Sequence, residues 1–314
     1  AIGDKVIVTG FDLGMNTDGG LSQCLTIPGD WALKLPAQLS CKQAMIMGTA
    51  GLTAMLCLMK LQKMGCPANA QVLITGASGG VGQALAAGFS QAGAQIIACD
   101  VAGTDLSAPQ FAEHHHFDLR DRSQVETAAK NILAKGAPAI FISNAGWTRQ
   151  DTIEMTTSDG IEEEMDCNFT GAAILTRSLL PAMRKLEGNC AFVFISSCNA
   201  VSHFGNPAYS AAKAATLAWM RALAVEEARN GIRANAVAPA SIKTGAWEHR
   251  LAADPTVLDR LEAIYPLGRI VTPQEVANAV LFLASSAASG ITGTTLNVDA
   301  GLAAGNLPFL DAIS

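Results

Sequence analysis

A phenol and an amine lie one helical turn apart in the segment "NPAYSAAK", at Tyr209 and Lys213. Residues four positions apart share a helix face, so the ammonium would lie beside the phenol. A phenol titrates near ~10 in water, which is too high for efficient proton exchange at neutral pH. Lowering that pKa by ~3 requires about 4 kcal/mol, which two nearby positive charges can supply in a partly desolvated site. The pair could then move a proton to or from an alcohol or carbonyl oxygen.

This spacing alone is common on helix faces, and the sequence context is what favours chemistry. The chain has two tyrosines, and Tyr209 follows an apolar run that ends in "ISS". Ser197, at the end of that run, could hydrogen-bond a reacting oxygen. The alternative is that Ser197 caps the end of a strand, a role that also fits Ser196.

A glycine-rich turn, "TGASGGVG", follows the apolar run "QVLI" and precedes a helical pattern. Glycines permit a turn with positive φ and a close approach of backbone amides to a pyrophosphate, which the following helix N-terminus would also attract. Such a turn is a weak signal alone. Asp100 strengthens it, because it ends the next strand 20 residues after Gly80 and could accept hydrogen bonds from ribose hydroxyls. Its charge would repel a 2′-phosphate, so NAD is favoured over NADP, although a solvated strand end remains the alternative.

From residue 71 onward the chain alternates short β-branched runs with longer amphipathic stretches such as "SQVETAAKNILAK" and "TPQEVANAVLFLASS". The almost continuously apolar runs fit strands that are buried on both faces of a sheet. We therefore predict an α/β fold with a doubly wound parallel sheet of the Rossmann type. The predicted strands are "QVLITG", "AQIIACD", "PAIFISNAG", "CAFVFISS", "IRANAVAP" and "TTLNVDAG".

The composition is typical of a globular protein with a large core, because 50% of the 314 residues are apolar and 15% are charged. A net charge of −6 argues against nucleic acid or an anionic membrane as the main partner. Eight cysteines without a Cys-x-x-Cys pair indicate reduced thiols, so we expect a cytoplasmic protein without disulfides. His114, His115 and His116 lie on an extended segment, where neighbouring side chains point to opposite faces. Since no cysteine or histidine cluster completes a site, we expect no metal.

Residues 1–66 differ in pattern and are predicted to form a separate segment, followed by one domain over 67–314. The runs "DKVIVTG" and "LSQCLTIP" are strand-like, and a loop and one helix are predicted after them. The apolar stretch over 44–61 could span a bilayer by length, but its two glycines and two threonines favour a buried helix. The chain begins with neither Met nor a basic region, so we expect a processed or fragment start rather than a signal peptide.

Residues 71–314 resemble the short-chain dehydrogenase/reductase family. The motifs that carry the resemblance occur in the family's order: "TGASGGVG", "FDLRD", "SNAG", "CNFTGA", "ISS", "YSAAK" and "NAVAPASIKT". Two motifs depart mildly from the family pattern, with Ser143 in place of an Asn and Ala240 in place of a Gly. The resemblance implies a nicotinamide cofactor and a homo-oligomer, either a dimer or a tetramer.

The same resemblance implies the roles of the catalytic residues. Tyr209 would be the acid/base, Lys213 would lower its pKa and bind the nicotinamide ribose, and Ser197 would position the substrate oxygen. Asn168 would hold a water that links Lys213 to solvent; without the resemblance, it is interpreted as a polar residue that bends a helix. The residues expected to bind the cofactor are Gly76, Ser78, Gly80, Val81, Gly82, Asp100, Asp118, Leu119, Asn144, Ala145, Gly146, Tyr209, Lys213, Pro239, Ile242 and Thr244.

Residues 1–82 resemble a second family, the medium-chain quinone oxidoreductases of the zinc-free acrylyl-CoA reductase type. The resemblance rests on "GDKVIVTGFDLG", "AMIMGTAGLTAMLCLMKL" and the shared "VLITGASGGVG". The chain is therefore interpreted as a chimera joined near the glycine turn. Most of that family's barrel is missing, so we infer no second activity, and we expect the first two strands to be mobile, to dock on the main domain or to pair with another subunit.

The leading functional hypothesis is an NAD(P)-dependent oxidoreductase that transfers a hydride between nicotinamide and a secondary alcohol or ketone. One alternative is an enoyl-thioester or quinone reductase, suggested by the N-terminal resemblance, but it leaves Tyr209 and Lys213 without a role. Another is a dinucleotide-binding scaffold with impaired catalysis. The substrate cleft is predicted along 198–208 and 241–269, with His203, Trp247 and His249 as candidate contacts.

Overall fold

The computed structural model describes residues 5–8, 27–28, 32–35, 69–148 and 152–313, and the chain divides into two compact units, Ala1–Met64 and Gly65–Ser314. In the first unit, β1 (Val6–Ile7) pairs antiparallel with β2 (Leu33–Lys34). β1 lies within the predicted run "DKVIVTG". Most of the other predicted strand and the whole stretch over 44–61 lie outside the described residues. The domain boundary between residues 66 and 67 stays a prediction.

The described part of the second unit contains a sheet of seven parallel strands in the order β5-β4-β3-β6-β7-β8-β9. The order runs outward in both directions from the neighbouring strands β3 and β6, so a crevice opens at their carboxyl ends, where such sheets bind ligands. The doubly wound α/β prediction is therefore confirmed. The strands are β3 (Gln71–Thr75), β4 (Gln95–Asp100), β5 (Phe111–His116), β6 (Ile140–Ser143), β7 (Cys190–Ile195), β8 (Ile232–Pro239) and β9 (Thr295–Val298).

Helices connect the strands and cover both faces of the sheet. Local signals start two of them: the Asp121 side chain accepts hydrogen bonds from two backbone amides at the start of α2, and Thr272 and Glu275 form a capping box at the start of α8. The helices are α1 (Gly80–Gln91), α2 (Arg122–Lys135), α3 (Ser158–Met165), α4 (Gly171–Met183), α5 (Pro207–Glu226), α6 (Glu248–Ala253), α7 (Val257–Glu262), α8 (Pro273–Ala284) and α9 (Leu307–Ile313). A π-helical turn, Asp166–Thr170, joins α3 to α4.

Alternate side chains of the central strands build two separate cores. Val72 and Ile74 of β3 belong to the core that α1 and α8 cover, whereas Leu73 belongs to the core that α2, α4 and α5 cover. Every residue of β7 and β8 is buried, as expected of strands with helices on both faces. This burial fixes the positions at which the strands end, and the polar residues that follow those ends lie along one edge of the sheet.

The strand at the β5 edge of the sheet was not among the six predicted strands. Its residues alternate between half-buried and exposed, with His114 and His116 exposed and His115 half-buried against Glu113. The expected opposite orientation of neighbouring histidines is therefore observed. The described cysteines, Cys99, Cys167, Cys190 and Cys198, are buried free thiols. Among the described helices, none combines the length and apolarity needed to cross a membrane.

Candidate active site

The glycine turn between β3 and α1 is too tight for side chains at two of its positions. Gly76 has φ +65°, and a Cβ there would lie 2.9 Å from the Cα of Ala145. A Cβ at Gly82 would lie 2.1 Å from the carbonyl oxygen of Gly76. The turn therefore folds back on the first turn of α1 and against the segment that follows β6, and only glycine permits both contacts.

The N-terminus of α1 is suited to an anion. Its cap residue is Gly79, no side chain caps the helix, and its first turn contains no acidic residue. The α2 and α8 N-termini differ, because they are capped by Asp121 and Thr272. The first backbone N–H groups of α1 thus have no side-chain acceptor, and the helix dipole favours a negative group at that point. This arrangement fits the pyrophosphate of a dinucleotide.

Asp100 ends β4 beside this turn, and its carboxylate is held by the backbone. The backbone N and the Oγ of Ser78 donate to Oδ2 at 2.9 and 2.6 Å, and the backbone N of Val101 donates to Oδ1 at 2.8 Å. A carboxylate has about four acceptor positions. One position on Oδ1 therefore remains for a ribose hydroxyl, and the orientation of the carboxylate is fixed before any ligand arrives.

The loop after β6 is tied to the end of β3. The Asn144 side chain donates to the carbonyl oxygens of Thr75 and Gly76, both at 3.0 Å, and the backbone N atoms of Asn144 and Ala145 donate to Thr75 Oγ1 at 3.0 and 3.1 Å. These bonds hold the two central strands together at the point where the strand order reverses. The predicted cofactor residues of this loop therefore adjoin the glycine turn.

The loop after β8 approaches the same turn. A Cβ at Gly80 would lie 3.0 Å from Thr244 Cγ2. Ile242 forms an isolated bridge with Val271, and its carbonyl oxygen accepts from Trp247 Nε1 at 2.9 Å. Pro239 is the buried last residue of β8, so the predicted residues on this loop also belong to the crevice.

Asp118 and Leu119 follow β5 at the same edge of the sheet. The Asp118 carboxylate accepts from the backbone N and the guanidinium of Arg120, and this hydrogen bonding holds the pKa of Asp118 below its usual range. Leu119 is buried against Gly171, where a Cβ would lie 2.2 Å from the Leu119 carbonyl oxygen. Both residues are thus firmly positioned by neighbouring protein groups.

The catalytic helix α5 carries Tyr209 and Lys213 on one face, as predicted. The Lys213 ammonium lies 5.5 Å from the centre of the Tyr209 ring and donates to the Ile195 carbonyl oxygen at 3.0 Å. The Ser196 hydroxyl donates to the Lys213 carbonyl oxygen at 3.1 Å. These bonds anchor the first turns of α5 to the end of β7, so the phenol and the amine are fixed relative to the sheet.

Ser197 adjoins the phenol, and its capping role is observed, whereas its role toward a substrate oxygen stays a prediction. Its hydroxyl caps the short turn after β7 by accepting from the backbone N of Asn199 at 3.2 Å. It also hydrogen-bonds the Tyr209 phenol, and this bond acts to lower the phenol pKa. Burial is the larger influence and raises the pKa of Tyr209 to about 12.

Lys213 is buried, with 3% of its surface exposed. Burial lowers its pKa to about 8, and the neighbouring ionisable groups Cys167 and Glu164 act in the opposite direction. In the ligand-free protein the amine therefore loses its proton before the phenol does. The low phenol pKa expected from the sequence requires the second positive charge, that of a bound nicotinamide, in addition to the ammonium.

Asn168 lies in the π-helical turn between α3 and α4, a device that often marks functional sites. Its amide group exchanges two hydrogen bonds with the backbone of Trp147, at 3.1 and 2.9 Å. A Cβ at Gly146 would lie 2.6 Å from Asn168 Oδ1 and 3.0 Å from Lys213 Nζ. Gly146 thus lets Asn168 and Lys213 approach the same point, and the four predicted catalytic residues gather at the ends of β6 and β7.

Sequence reasoning missed two polar residues beside this cluster, Glu164 and Thr148. Glu164 is 1% exposed, and its Oε1 accepts from Thr148 Oγ1 at 3.0 Å. The available signal was its position four residues before Asn168, which places both on one helix face. Of the candidate substrate contacts, His203 is exposed and Trp247 is half-buried with its ring beneath Arg250, whereas the His249 side chain lies outside the described residues.

Comparisons with known proteins agree on the second unit. Residues 76–303 match the family model described as enoyl-(acyl carrier protein) reductase. An uncharacterized oxidoreductase of Schizosaccharomyces pombe is 39% identical over 237 residues, 75% of this chain and 91% of that protein. The 3-oxoacyl-(acyl-carrier-protein) reductase of Thermotoga maritima is 33% identical over 243 residues, 73% of this chain and 96% of that protein. A Burkholderia thailandensis oxidoreductase structure of the short chain dehydrogenase/reductase family has a TM-score of 0.72 and 38% identity, covering 78% of this chain and 97% of that one.

Proposed function

The chain belongs to the short-chain dehydrogenase/reductase family, and from this premise we propose that it is an NAD(H)-dependent oxidoreductase of secondary alcohols and ketones. The observation that carries the proposal is the cluster at the ends of β6 and β7. Both Lys213 and Ser197 lie beside Tyr209 there, and a glycine turn and a helix N-terminus suited to a dinucleotide follow β3.

The chemistry divides between the cofactor and the protein. When bound, nicotinamide supplies the hydride acceptor or donor. Tyr209 gives its proton to the carbonyl oxygen in ketone reduction and takes it from the hydroxyl in alcohol oxidation. Ser197 orients the substrate oxygen toward the phenol, and the Lys213 ammonium stabilises the phenolate. Because burial raises the pKa of Tyr209 to about 12, the ligand-free protein holds the phenol protonated at neutral pH.

The preference for NAD over NADP rests on Asp100. Its carboxylate is fixed by Ser78 and Val101 with an acceptor position remaining. That position suits a ribose hydroxyl, and the negative charge disfavours a phosphate at the same place. The residues expected to hold the rest of the dinucleotide line the same edge of the sheet, from Gly76 to Thr244.

The test is a substrate panel followed by reduced-nicotinamide absorbance, with NAD(H) and NADP(H) in parallel. The panel contains secondary alcohols, ketones, 3-oxoacyl thioesters and enoyl thioesters. We expect turnover of an alcohol or ketone, and a loss of ~100-fold or more in Tyr209→Phe with cofactor binding retained. Unchanged turnover in Tyr209→Phe would contradict the mechanism. Turnover of enoyl thioesters alone would favour the enoyl reductase alternative, and turnover of none would favour a binding scaffold.

We further propose that the protein is a homo-oligomer. Leu296 on β9 and Phe309, Leu310 and Ile313 on α9 are exposed apolar side chains, and β9 is a terminal strand of the described sheet. Exposed apolar side chains and a terminal strand are each suited to association. Light scattering that gives the mass of a monomer would contradict this. The likeness of residues 1–66 to the medium-chain quinone oxidoreductases, and with it the chimeric origin, stays a prediction.

A further inference from the structure

Three consecutive glutamates at the end of α3 have three different environments. Glu162 is exposed, and Glu163 is half-buried and ion-paired with Arg120. Glu164 is 1% exposed. Burying a carboxylate costs free energy unless neighbouring groups compensate for the lost hydration. The burial of Glu164 therefore requires a physical explanation.

Two hydrogen bonds tie Glu164 to the catalytic cluster. Its carbonyl oxygen accepts from Asn168 Nδ2 at 2.9 Å, and its Oε1 accepts from Thr148 Oγ1 at 3.0 Å. The Asn168 side-chain oxygen and the Lys213 amine both lie close to Gly146. Glu164 thus lies on a helix that packs against α5, on the same helix face as Asn168.

Few ionisable groups act on the two catalytic side chains. Cys167 and Glu164 act on Lys213, and Cys198 and Glu164 act on Tyr209. Burial raises the pKa of the Cys167 and Cys198 thiols, so neither carries a charge at neutral pH. Glu164 is the carboxylate that acts on both catalytic groups. The other charged residues on α5 and on the elements packed against it lie elsewhere: Asp159, Glu162, Glu163 and Asp166 are exposed or half-buried on α3 and its π turn, and Arg221, Glu226, Arg229 and Arg233 lie in the last turns of α5, in the turn after it and at the start of β8.

The lysine needs such a partner because burial alone works against its charge. Its pKa falls to about 8 in the ligand-free protein. A cationic nicotinamide beside it would lower the pKa further, and a neutral amine cannot stabilise a phenolate. Negative charge at Glu164 acts to raise the Lys213 pKa and therefore opposes both effects.

This inference rests on the proposed function and deepens it. We propose that the Glu164 carboxylate is a positioning residue of the active site, which keeps Lys213 cationic while an oxidised nicotinamide is bound. Thr148 orients the carboxylate, and Asn168 anchors the helix turn that carries it. Glu164 acts through Lys213 and does not touch the reacting atoms.

The test compares Glu164→Gln, which removes the charge and keeps the shape, with Glu162→Gln, which removes a charge from the exposed face of the same helix. In alcohol oxidation by Glu164→Gln, we expect the alkaline limb of the kcat profile to move to lower pH by about 1. The Tyr209 phenolate absorbance in the NAD⁺ complex should also move to lower pH, because the carboxylate opposes phenol ionisation too. Glu164→Asp, which restores the charge, and Glu162→Gln should keep the profiles of the unmodified enzyme.

A merely structural role for Glu164 would lower the rate at every pH without moving either profile, and that result overturns the proposal. If Glu164→Gln does not fold, infrared spectra of the unmodified enzyme with labelled glutamate decide. A protonated buried glutamate in the active pH range overturns the proposal, and its absence supports it. The phenolate titration needs no turnover, so an enzyme that oxidises no alcohol refutes the proposed function while Glu164 is still tested.

Discussion

The dependence of the phenol on the ammonium can be measured with Lys213→Met. In the structure, the ammonium lies 5.5 Å from the Tyr209 ring centre. At an effective dielectric constant of ~20, unit charges at that distance interact by about 3 kcal/mol, which corresponds to a phenol pKa change of ~2. Methionine matches the length of the lysine stem, so the change removes the charge with little loss of volume.

The expected effect differs between the ligand-free and the NAD⁺-bound protein. Without cofactor, Lys213 loses its proton near pH 8 and Tyr209 near pH 12, so the amine is already neutral when the phenol ionises. Lys213→Met should then leave the phenol titration almost unchanged. In the NAD⁺ complex the proposed mechanism requires the phenol to ionise while the amine is still charged. The same variant should there raise the Tyr209 pKa by ~2 and slow alcohol oxidation at neutral pH by ~100-fold.

The assay is near-ultraviolet phenolate absorbance as a function of pH. Because Tyr265 is the only other tyrosine in the chain, the Tyr209→Phe protein supplies its contribution as a baseline. Lys185→Met, which removes an exposed charge, is the matched control. Equal titrations of the unmodified and Lys213→Met proteins in the NAD⁺ complex would refute the electrostatic role. A difference of ~2 already present without cofactor would refute the order of ionisation.

Three further outcomes are expected. Gly82→Ala should lose about 3 kcal/mol or more of unfolding free energy in urea and abolish NAD binding, because its Cβ would lie 2.1 Å from the Gly76 carbonyl oxygen. In the control Gly79→Ala, the Cβ would meet nothing closer than 3.5 Å, so this variant should unfold like the parent. Asp100→Asn should lower the KM for NADP⁺ relative to that for NAD⁺ by ~10-fold in steady-state kinetics, since about 1.4 kcal/mol of repulsion is removed, and an unchanged ratio would contradict the assignment. The folded-state pKa of Lys213, about 8, is below its ordinary 10.5, so at this site the unfolded chain binds more protons between those values. The unfolding free energy of the parent minus that of Lys213→Met, measured in urea, should therefore rise with pH in that window, and a difference that does not change with pH would contradict the lowered pKa.

The sequence predicts the centre of this fold well because its strands are buried on both faces. A run such as "CAFVFI" in β7 has no solvent-facing position, so its apolar pattern is unbroken and leaves little ambiguity. The edge strand β5, "FAEHHH", alternates between half-buried and exposed positions with polar residues on both. In the described sheet it pairs with β4, and this pairing is set by the crossover topology rather than by its own composition. Since the strand contains no apolar run, the sequence pattern does not predict it.

The candidate site could be listed from motifs, because its residues follow strand ends whose positions the buried runs determine. The buried position of Glu164 in "IEEEM" could not be predicted in this way, because glutamate occupies three successive positions of α3. Their environments follow from helix phase: Glu164 shares the face of Asn168, whereas Glu162 points to solvent. To predict which glutamate is buried, one must know which way another residue of the same helix points. Asn168 supplies that information only in the structure, where its side chain hydrogen-bonds the Trp147 backbone.

Residue types alone also do not predict whether Tyr209 or Lys213 loses its proton first, because burial sets that order. Burial opposes charge on both side chains, which keeps the phenol protonated and lowers the pKa of the amine to about 8 in the ligand-free protein. Proton acceptance by Tyr209 therefore requires a further positive charge, and retention of the Lys213 proton then requires a compensating negative one. A bound oxidised nicotinamide would supply the first of these charges, and negative charge at Glu164, which acts to raise the Lys213 pKa, would supply the second. In the proposed mechanism, such a site would accept a proton from an alcohol only when the oxidised dinucleotide is in place, and electrostatics would couple proton transfer to hydride transfer.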